Sequence, residues 1–364
     1  MGDPHRVGIV GAGFISRAYL STLAGHPRVA IAAVADLDPD RAAAVASSLP
    51  SARAMSVDEL LTGGEVETVL NLTVPAAHAP VALGAVSRKL HVYGEKPLAA
   101  TLTDARAMVA AAAAAGVTLG CAPDTVLGTG IQTARAAVDG GVIGRPVAAS
   151  AVMVTPGHER WHPDPDFYYL PGGGPLLDMG PYYLTALVQL LGPIRAVTGA
   201  ASRPRSSRTI GSGPRQGTTI PVEIDTHVTG ILEHTSGALS TITTSFDAVR
   251  TTASPIEIHG DRGSLAVPDP NKFDGDVRLF ELGATEWRTL PPSAGYTAAA
   301  RGIGLLDQIA AAEPRATGTL ALHVLDAMTA LLESAAAGRR RELTTTAERP
   351  PLVPLTPVEE WTAA

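Results

Sequence analysis

Only one cysteine, Cys121, occurs in the 364 residues, so an internal disulfide is excluded. Lysine is nearly as scarce: three of the 28 basic residues are Lys and the rest are Arg. Aromatic residues make up 4% of the chain. No apolar run reaches the roughly 18 uninterrupted residues of a membrane span, and the longest Ala-rich tract, "MVAAAAAAGV", reads as a short helix. A basic excess is also missing, since 28 basic against 35 acidic residues give a net charge of −7. That balance provides no general pull toward nucleic acid or anionic lipid. The opening "MGDPHRVGIVGAG" carries no signal-peptide pattern, which makes the cytoplasm the expected compartment.

What is present is enough apolar material, 45% of residues, to pack more than one core. The runs "RVGIVGAG", "VAIAAVADLD", "VETVLNLTVP" and "LHVYGEKP" read as strands, each followed by a segment with helical spacing. Such alternation predicts an α/β fold with a parallel, doubly wound sheet over residues 1–122. Residues 123–364 begin with a helix ending in "DGGVIG" and turn to alternating runs such as "VAASAVMVT", "DTHVTGILEH" and "ALSTITTSF". These predict a second α/β domain with a largely antiparallel open sheet. The Arg-, Ser-, Gly- and Pro-rich stretch 202–217 reads as a mobile surface loop.

Within "GAGFIS", Gly11 and Gly13 supply the tight turn and backbone access that a pyrophosphate needs at a helix N-terminus. Ser16 stands where a third glycine is usual. At the end of the second strand, Asp36 is placed to accept hydrogen bonds from ribose hydroxyls and to repel a 2′-phosphate. NAD is therefore the expected cofactor. Arg41, one helical turn further on, leaves NADP open.

Lys96, in "YGEKPLA", is a lysine in a chain that otherwise uses Arg, and lysine is the cation whose pKa burial can lower. In "PGGGPLLDMGPYYLTALVQLLG", Asp178 and Tyr182 are four residues apart and share a face if both are helical. Pro181 between them leaves the helix start open. Taken singly, Asp178 could equally be a helix cap and Tyr182 a packed ring.

In order and spacing, "GIVGAGFIS", "VADLDPDRA", "NLTVPAAH", "YGEKPLA", "DGGVIGRP" and "GGGPLLDMGPYY" resemble the glucose-fructose oxidoreductase and inositol dehydrogenase family (Gfo/Idh/MocA), over about residues 5–355. The resemblance implies a Rossmann domain joined to an α/β domain whose open sheet forms the interface of a homodimer or homotetramer. It also implies hydride transfer between a nicotinamide cofactor and a sugar, polyol or cyclitol. Cofactor contacts would come from Gly11, Gly13, Phe14, Ile15, Asp36, Thr73, Pro75, His78, Glu95 and Lys96. Pro97 would follow a cis peptide bond. Lys96 would bind the reacting hydroxyl and Asp178 would position the proton-transfer group. Many members carry His four residues after this Asp, where this chain has Tyr182. A phenol is a poor base near neutrality unless a cation lowers its pKa of about 10. Lys96 and Tyr182, oriented by Asp178, are accordingly the expected catalytic group.

Asp124 and Thr125, in "CAPDTVLGTGIQ", are read as substrate-binding, with a helix cap as the alternative for Asp124. "GHERWHPDPDFYY" spells H-E-x-x-H through His158, Glu159 and His162. That zinc pattern requires a helix, and the flanking prolines argue against one, so no metal site is expected. The stretch is read instead as a loop presenting Trp161, His162 and Tyr168 or Tyr169 to a sugar. The leading expectation is an NAD(P)-dependent sugar or polyol dehydrogenase. A non-catalytic dinucleotide sensor, or a dihydrodiol or imine reductase, is the alternative.

Overall fold

The structure, a computed structural model, describes residues 3–363. It opens with β1 (His5–Val10), α1 (Ser16–Leu23), β2 (Val29–Ala35), α2 (Pro39–Ala46), β3 (Arg53–Ala54) and α3 (Val57–Thr62). Next come β4 (Thr68–Asn71), α4 (Pro75–Ser87), β5 (His91–Gly94), α5 (Leu102–Ala115) and β6 (Leu119–Cys121). The strands pair in parallel in the order β3-β2-β1-β4-β5-β6, the doubly wound topology expected from the alternating runs. Side-chain caps set several of the helix starts. The Asp38 side chain accepts the Asp40 and Arg41 amides ahead of α2, Ser56 and Glu59 form a capping box for α3, and Thr101 caps α5.

After residue 128 the chain forms α6 (Thr129–Asp139), β7 (Pro146–Val154), α7 (Pro175–Leu191), β8 (Ile194–Ser202), β9 (Ser207–Thr209), β10 (Thr219–Pro221), β11 (His227–His234) and β12 (Leu239–Ser245). There follow β13 (Ile256–Gly260), β14 (Gly263–Val267), β15 (Val277–Glu281), β16 (Arg288–Leu290), α8 (Ile303–Ala310), α9 (Gly318–Ala337), β17 (Arg341–Glu342) and α10 (Val358–Ala363). Among the described residues, nine of these strands form one sheet, β16-β15-β14-β13-β7-β12-β11-β8-β17, antiparallel except where β7 meets β12. The strands alternate buried and open residues, as in β11, where Val228, Gly230 and Leu232 are buried and Ile231 is exposed.

The chain divides into two compact units. The first holds residues 1–129 and also 294–322 and 350–364; the second holds 130–293 and 323–349. Two segments later than residue 122, 294–322 and 350–364, thus return to the parallel-sheet unit. Bridges from Gly128 to Tyr296, Ala294 to Pro354 and Gly120 to Thr317 tie them in. Such returns depend on contacts between residues far apart in sequence, which local periodicity does not register.

In the second unit, α7 packs on β7, β11 and β12. The Leu331 stretch of α9 lies close over β8 and β11: a Cβ on Gly199 would come within 2.5 Å of the Leu331 carbonyl oxygen, and one on Gly230 within 2.5 Å of its side chain. By length and composition α9 would also pass for a membrane span, but most of it is buried. The stretch 202–217, expected to be a mobile loop, contains β9, which pairs with β10 and carries the buried Arg208.

His234 is buried at the end of β11, where its Nδ1 donates to the Gly192 carbonyl (2.7 Å) and its Nε2 accepts from Ser240 (2.9 Å). Burial pushes its pKa from 6.5 down to about 4, so the unfolded chain binds the proton more readily. The resulting stabilisation is complete above pH 6.5 and is lost as pH falls toward 4, at 1.36 kcal/mol per pKa unit, or roughly 3 kcal/mol in all. Urea unfolding at pH 7.5 and pH 5 should show this loss, and His234→Gln should weaken the pH dependence.

Candidate active site

In the first unit, the loops following β1, β2, β4 and β5 emerge together at the C-terminal edge of the parallel sheet. Strand order reverses there between β2-β1 and β4-β5, the position where open α/β sheets take their ligands. Gly11 has φ +101°, and a Cβ on it would meet the Leu72 carbonyl carbon and oxygen at 2.7 Å, so the turn after β1 requires glycine. Gly13 differs: no heavy atom of the described residues lies within 4 Å of where its Cβ would be. The turn thus faces open space just before the N-terminus of α1, where Ile15 is the cap position and Ser16 Oγ turns back to the Gly13 carbonyl (2.7 Å). Phe14, Leu37 and Val74, from three different loops of this edge, are 89%, 97% and 67% exposed. An open glycine turn at a helix start beside solvent-facing apolar side chains fits a dinucleotide, whose diphosphate needs backbone amides and whose bases need apolar cover.

Asp36 ties this edge together. One carboxylate oxygen accepts the Ala12 amide (2.7 Å); the other accepts the Asp38 amide (2.9 Å) and pairs with the Arg41 guanidinium (3.0 Å), which also reaches Asp38 (3.1 Å). Thr73 is half-buried, with its hydroxyl on Asn71 Oδ1 (2.6 Å), and Pro75 is the exposed first residue of α4.

Lys96 is half-buried, and its peptide bond to Pro97 is cis. Its amide donates to the buried carboxylate of Glu95 (3.0 Å), whose other oxygen accepts the phenol of Tyr19 (2.8 Å). Burial and the Glu95 charge push the Tyr19 pKa well above its ordinary value, so Tyr19 remains a donor. On the far side of Lys96, the buried His78 ring spans the Pro97 carbonyl (2.7 Å) and the Thr73 carbonyl (3.0 Å). Burial pushes the His78 pKa down while the two carbonyls pull it up. Glu95 and His78, expected as cofactor contacts, here have their polar atoms engaged in holding the Lys96 loop.

Asp124 and Thr125, expected to bind substrate, lie in the protein interior. Both are fully buried; Asp124 accepts the Gly302 (2.8 Å) and Gly304 (3.3 Å) amides at the start of α8, and Arg301 lies 3.6 Å from its other oxygen. Desolvation pushes its pKa up, opposed by Arg301. Asp124 is a cap, but for a helix 178 residues away in sequence.

In the second unit, α7 begins at Pro175, so Asp178 lies in its first turn, and Pro181 and Tyr182 lie in the helix proper. Asp178 is half-buried, Tyr182 is buried, and one turn separates them on the same side. Asp178 takes His158 as partner, with Nε2 to Oδ2 at 3.1 Å. Residues 158–160 form a single 3-10 turn, so the H-E-x-x-H spelling does not lie on a helix, and its first two residues have separate tasks. Among the described residues, no group of three or more His, Cys, Asp or Glu is arranged to hold a metal. Around His158 stand the rings of Phe246 (4.4 Å), Tyr168 (4.6 Å) and Trp161 (5.3 Å), while His162 stacks edge-on against Trp161, Phe167 and Tyr168. Trp161 and Phe167 are more than half exposed. Tyr169 is fully buried and serves the loop itself, its phenol bonded to Glu159. His158 as partner of Asp178, Tyr19 beneath Glu95, and Arg208 were not anticipated. For His158 the only sequence signal was a motif that had to be rejected as a zinc site.

Comparison with known proteins agrees with this geometry. Residues 5–122 match the family model described as "Oxidoreductase family, NAD-binding Rossmann fold", and residues 131–266 match the "GFO/IDH/MocA C-terminal domain". The chain is 28% identical to a 1,5-anhydro-D-fructose reductase of Ensifer adhaerens over 357 residues, covering 94% of this chain and 99% of that protein. It shares the fold of an NAD-binding oxidoreductase from Klebsiella pneumoniae (TM-score 0.81, 23% identity, 94% and 100% of the two chains). The same holds for a levoglucosan dehydrogenase solved with NADH (TM-score 0.79, 20% identity, 94% and 100%). Because the space at Gly13 is open, Gly13→Val should fold with an unchanged melting temperature yet bind NADH on the order of tenfold more weakly or worse, the effect of losing hydrogen bonds to a charged group. Gly11→Val should instead fail to fold stably, as denaturant titration would reveal.

Proposed function

The chain belongs to the Gfo/Idh/MocA oxidoreductase family, and from that membership we propose that it transfers hydride between a nicotinamide dinucleotide and a hydroxyl-bearing carbon of a neutral cyclic sugar or polyol. When bound, the dinucleotide takes up or supplies the hydride. Gly11, Gly13, Phe14 and Ile15 would hold its diphosphate side through backbone amides, with Thr73 and Pro75 on the β4 side of the same edge. Asp36 favours NAD, since its carboxylate suits ribose hydroxyls and keeps Arg41 engaged.

An alcohol gives up hydride only as its hydroxyl proton leaves. In our reading, Lys96 and Tyr182, oriented by Asp178, serve this step as a pair: the ammonium stabilises negative charge growing on the oxygen, and the proton passes to the phenolate form of Tyr182. The observation that carries this reading is how firmly the Lys96 turn is fixed: the Glu95 carboxylate holds its amide and His78 the following carbonyl, an arrangement suited to a group that must meet a reacting atom. Substrate neutrality is supported by two arginines that pair with carboxylates of the 157–169 loop. Arg208 is paired with Glu159 and Asp247, and Arg215 with Asp164 and Asp166, while the nearby rings offer apolar faces suited to sugar C–H groups. The similar anhydro-sugar enzymes make 1,5-anhydrofructose and levoglucosan natural first substrates. We also propose association through the outer face of the nine-stranded sheet, where Ile231 and Leu239 are about half exposed.

A panel of neutral pentoses, hexoses, anhydro-sugars and cyclitols, followed by nicotinamide absorbance with NAD and NADP for the alcohols and with NADH and NADPH for ketones such as 1,5-anhydrofructose, tests the reaction; silence across the whole panel would refute it. Lys96→Met should cost roughly 10² to 10⁴ in turnover with NADH binding intact. Asp36→Ala should lower the NAD-over-NADP preference by on the order of tenfold, because it removes a charged hydrogen-bond acceptor and frees Arg41.

A further inference from the structure

The Asp178–His158 pair joins residues 20 apart in sequence and has a feature that restricts how it works. His158 Nε2 faces the carboxylate, while Nδ1 is buried and has no hydrogen-bond partner among the described residues. A proton on Nδ1 would be buried without an acceptor, so the ring carries its proton on Nε2 and donates it to Asp178. The rings of Phe246, Tyr168 and Trp161 pack around the imidazole at 4.4–5.3 Å.

The backbone beneath the ring is held equally closely. The Tyr169 phenol oxygen accepts the amides of His158 (3.0 Å) and Glu159 (3.4 Å) and donates to the Glu159 carboxylate. From β9, the buried Arg208 donates to Glu159 (3.1 Å), the Pro156 carbonyl (3.0 Å), the Phe246 carbonyl (2.9 Å) and Asp247 (2.5 Å). A single guanidinium thereby links the chain on both sides of His158 to the strand end that supplies Phe246. Planar, multiply donating Arg suits this task, and the compact ammonium of Lys would reach fewer of the acceptors.

We propose that His158 is a positioning residue that orients the Asp178 carboxylate, and that Arg208, through Glu159 and Tyr169, holds His158 in place. This deepens the reaction proposed above and rests on it. His158 need not touch substrate, because its action is to fix the acceptor group on α7.

Two variants separate orientation from packing. His158→Phe keeps a ring in the aromatic cluster and removes the donor; His158→Gln restores an amide donor at similar reach. With the best substrate from the sugar panel, His158→Phe should lower kcat roughly ten- to hundredfold, the range set by one hydrogen bond to a charged group, with little change in NADH affinity or melting temperature. His158→Gln should recover most of the loss, and Arg208→Lys should lower kcat in the same direction. Equal activity of wild type and His158→Phe, or failure of Gln to rescue a well-folded Phe variant, would overturn the inference. Ring ¹⁵N NMR of the wild type supplies a readout independent of turnover: a slowly exchanging Nε2 proton is expected, becoming fast-exchanging in Asp178→Ala. A proton found on Nδ1 would overturn the assignment even if no substrate is known. A protein inactive on the whole panel but with the expected NMR signature would sink the proposed reaction and leave the His158–Asp178 pairing standing.

Discussion

Carboxylates that accept backbone amides hold the functional edge of the first unit in shape. Asp36 takes the amide of Ala12 in the glycine turn, Glu95 takes the amide of Lys96, and Asp124 takes the amides at the start of α8. Hydrogen bonds from N–H to an ionised oxygen are among the stronger ones, and a loop tied in this way has few alternative paths. Without them the glycine turn and the Lys96 loop would be ordinary connections free to move. With them, the residues that would meet a cofactor and an alcohol oxygen are presented at fixed places on one sheet edge.

The second unit uses a different means to the same end. Its loop 157–169 has little regular structure, and the rings of Trp161, Phe167, Tyr168 and Phe246 together with the Arg208–Glu159–Tyr169 group take the place of a backbone ladder. Burying a guanidinium and carboxylates carries a large desolvation cost, offset only when their hydrogen-bonding capacity is well used. Arg208 comes close to that condition by combining two carboxylate partners with two carbonyl partners. The result is a defined position for His158 and through it for Asp178.

Residues whose role is set by neighbours in sequence were readable in advance. The glycine turn, Asp36 at the end of β2, and the placing of Asp178 and Tyr182 on one helix all follow from spacing and side-chain chemistry. Not readable in advance were the surroundings of residues whose partners are distant. Asp124 and Thr125 looked like a polar pair near a strand end, yet they are buried beside a helix start contributed from residue 302 onward. The 202–217 stretch has the composition of a loop, and only the buried ion pair of Arg208 reveals its structural task.

The sequence by itself determined the alternation of strands and helices and the glycine turn with its acidic partner, because hydrophobic period and backbone freedom act over a few residues; the Glu-Lys-Pro element stood out by its resemblance to the family. Tertiary structure alone decided that two late segments return to the parallel-sheet unit, that His158 bonds Asp178, and that Arg208 bonds the chain on both sides of His158. The reason is physical: a side chain's hydrogen-bond partner is chosen by which groups burial deprives of water together, and that is a property of the folded chain.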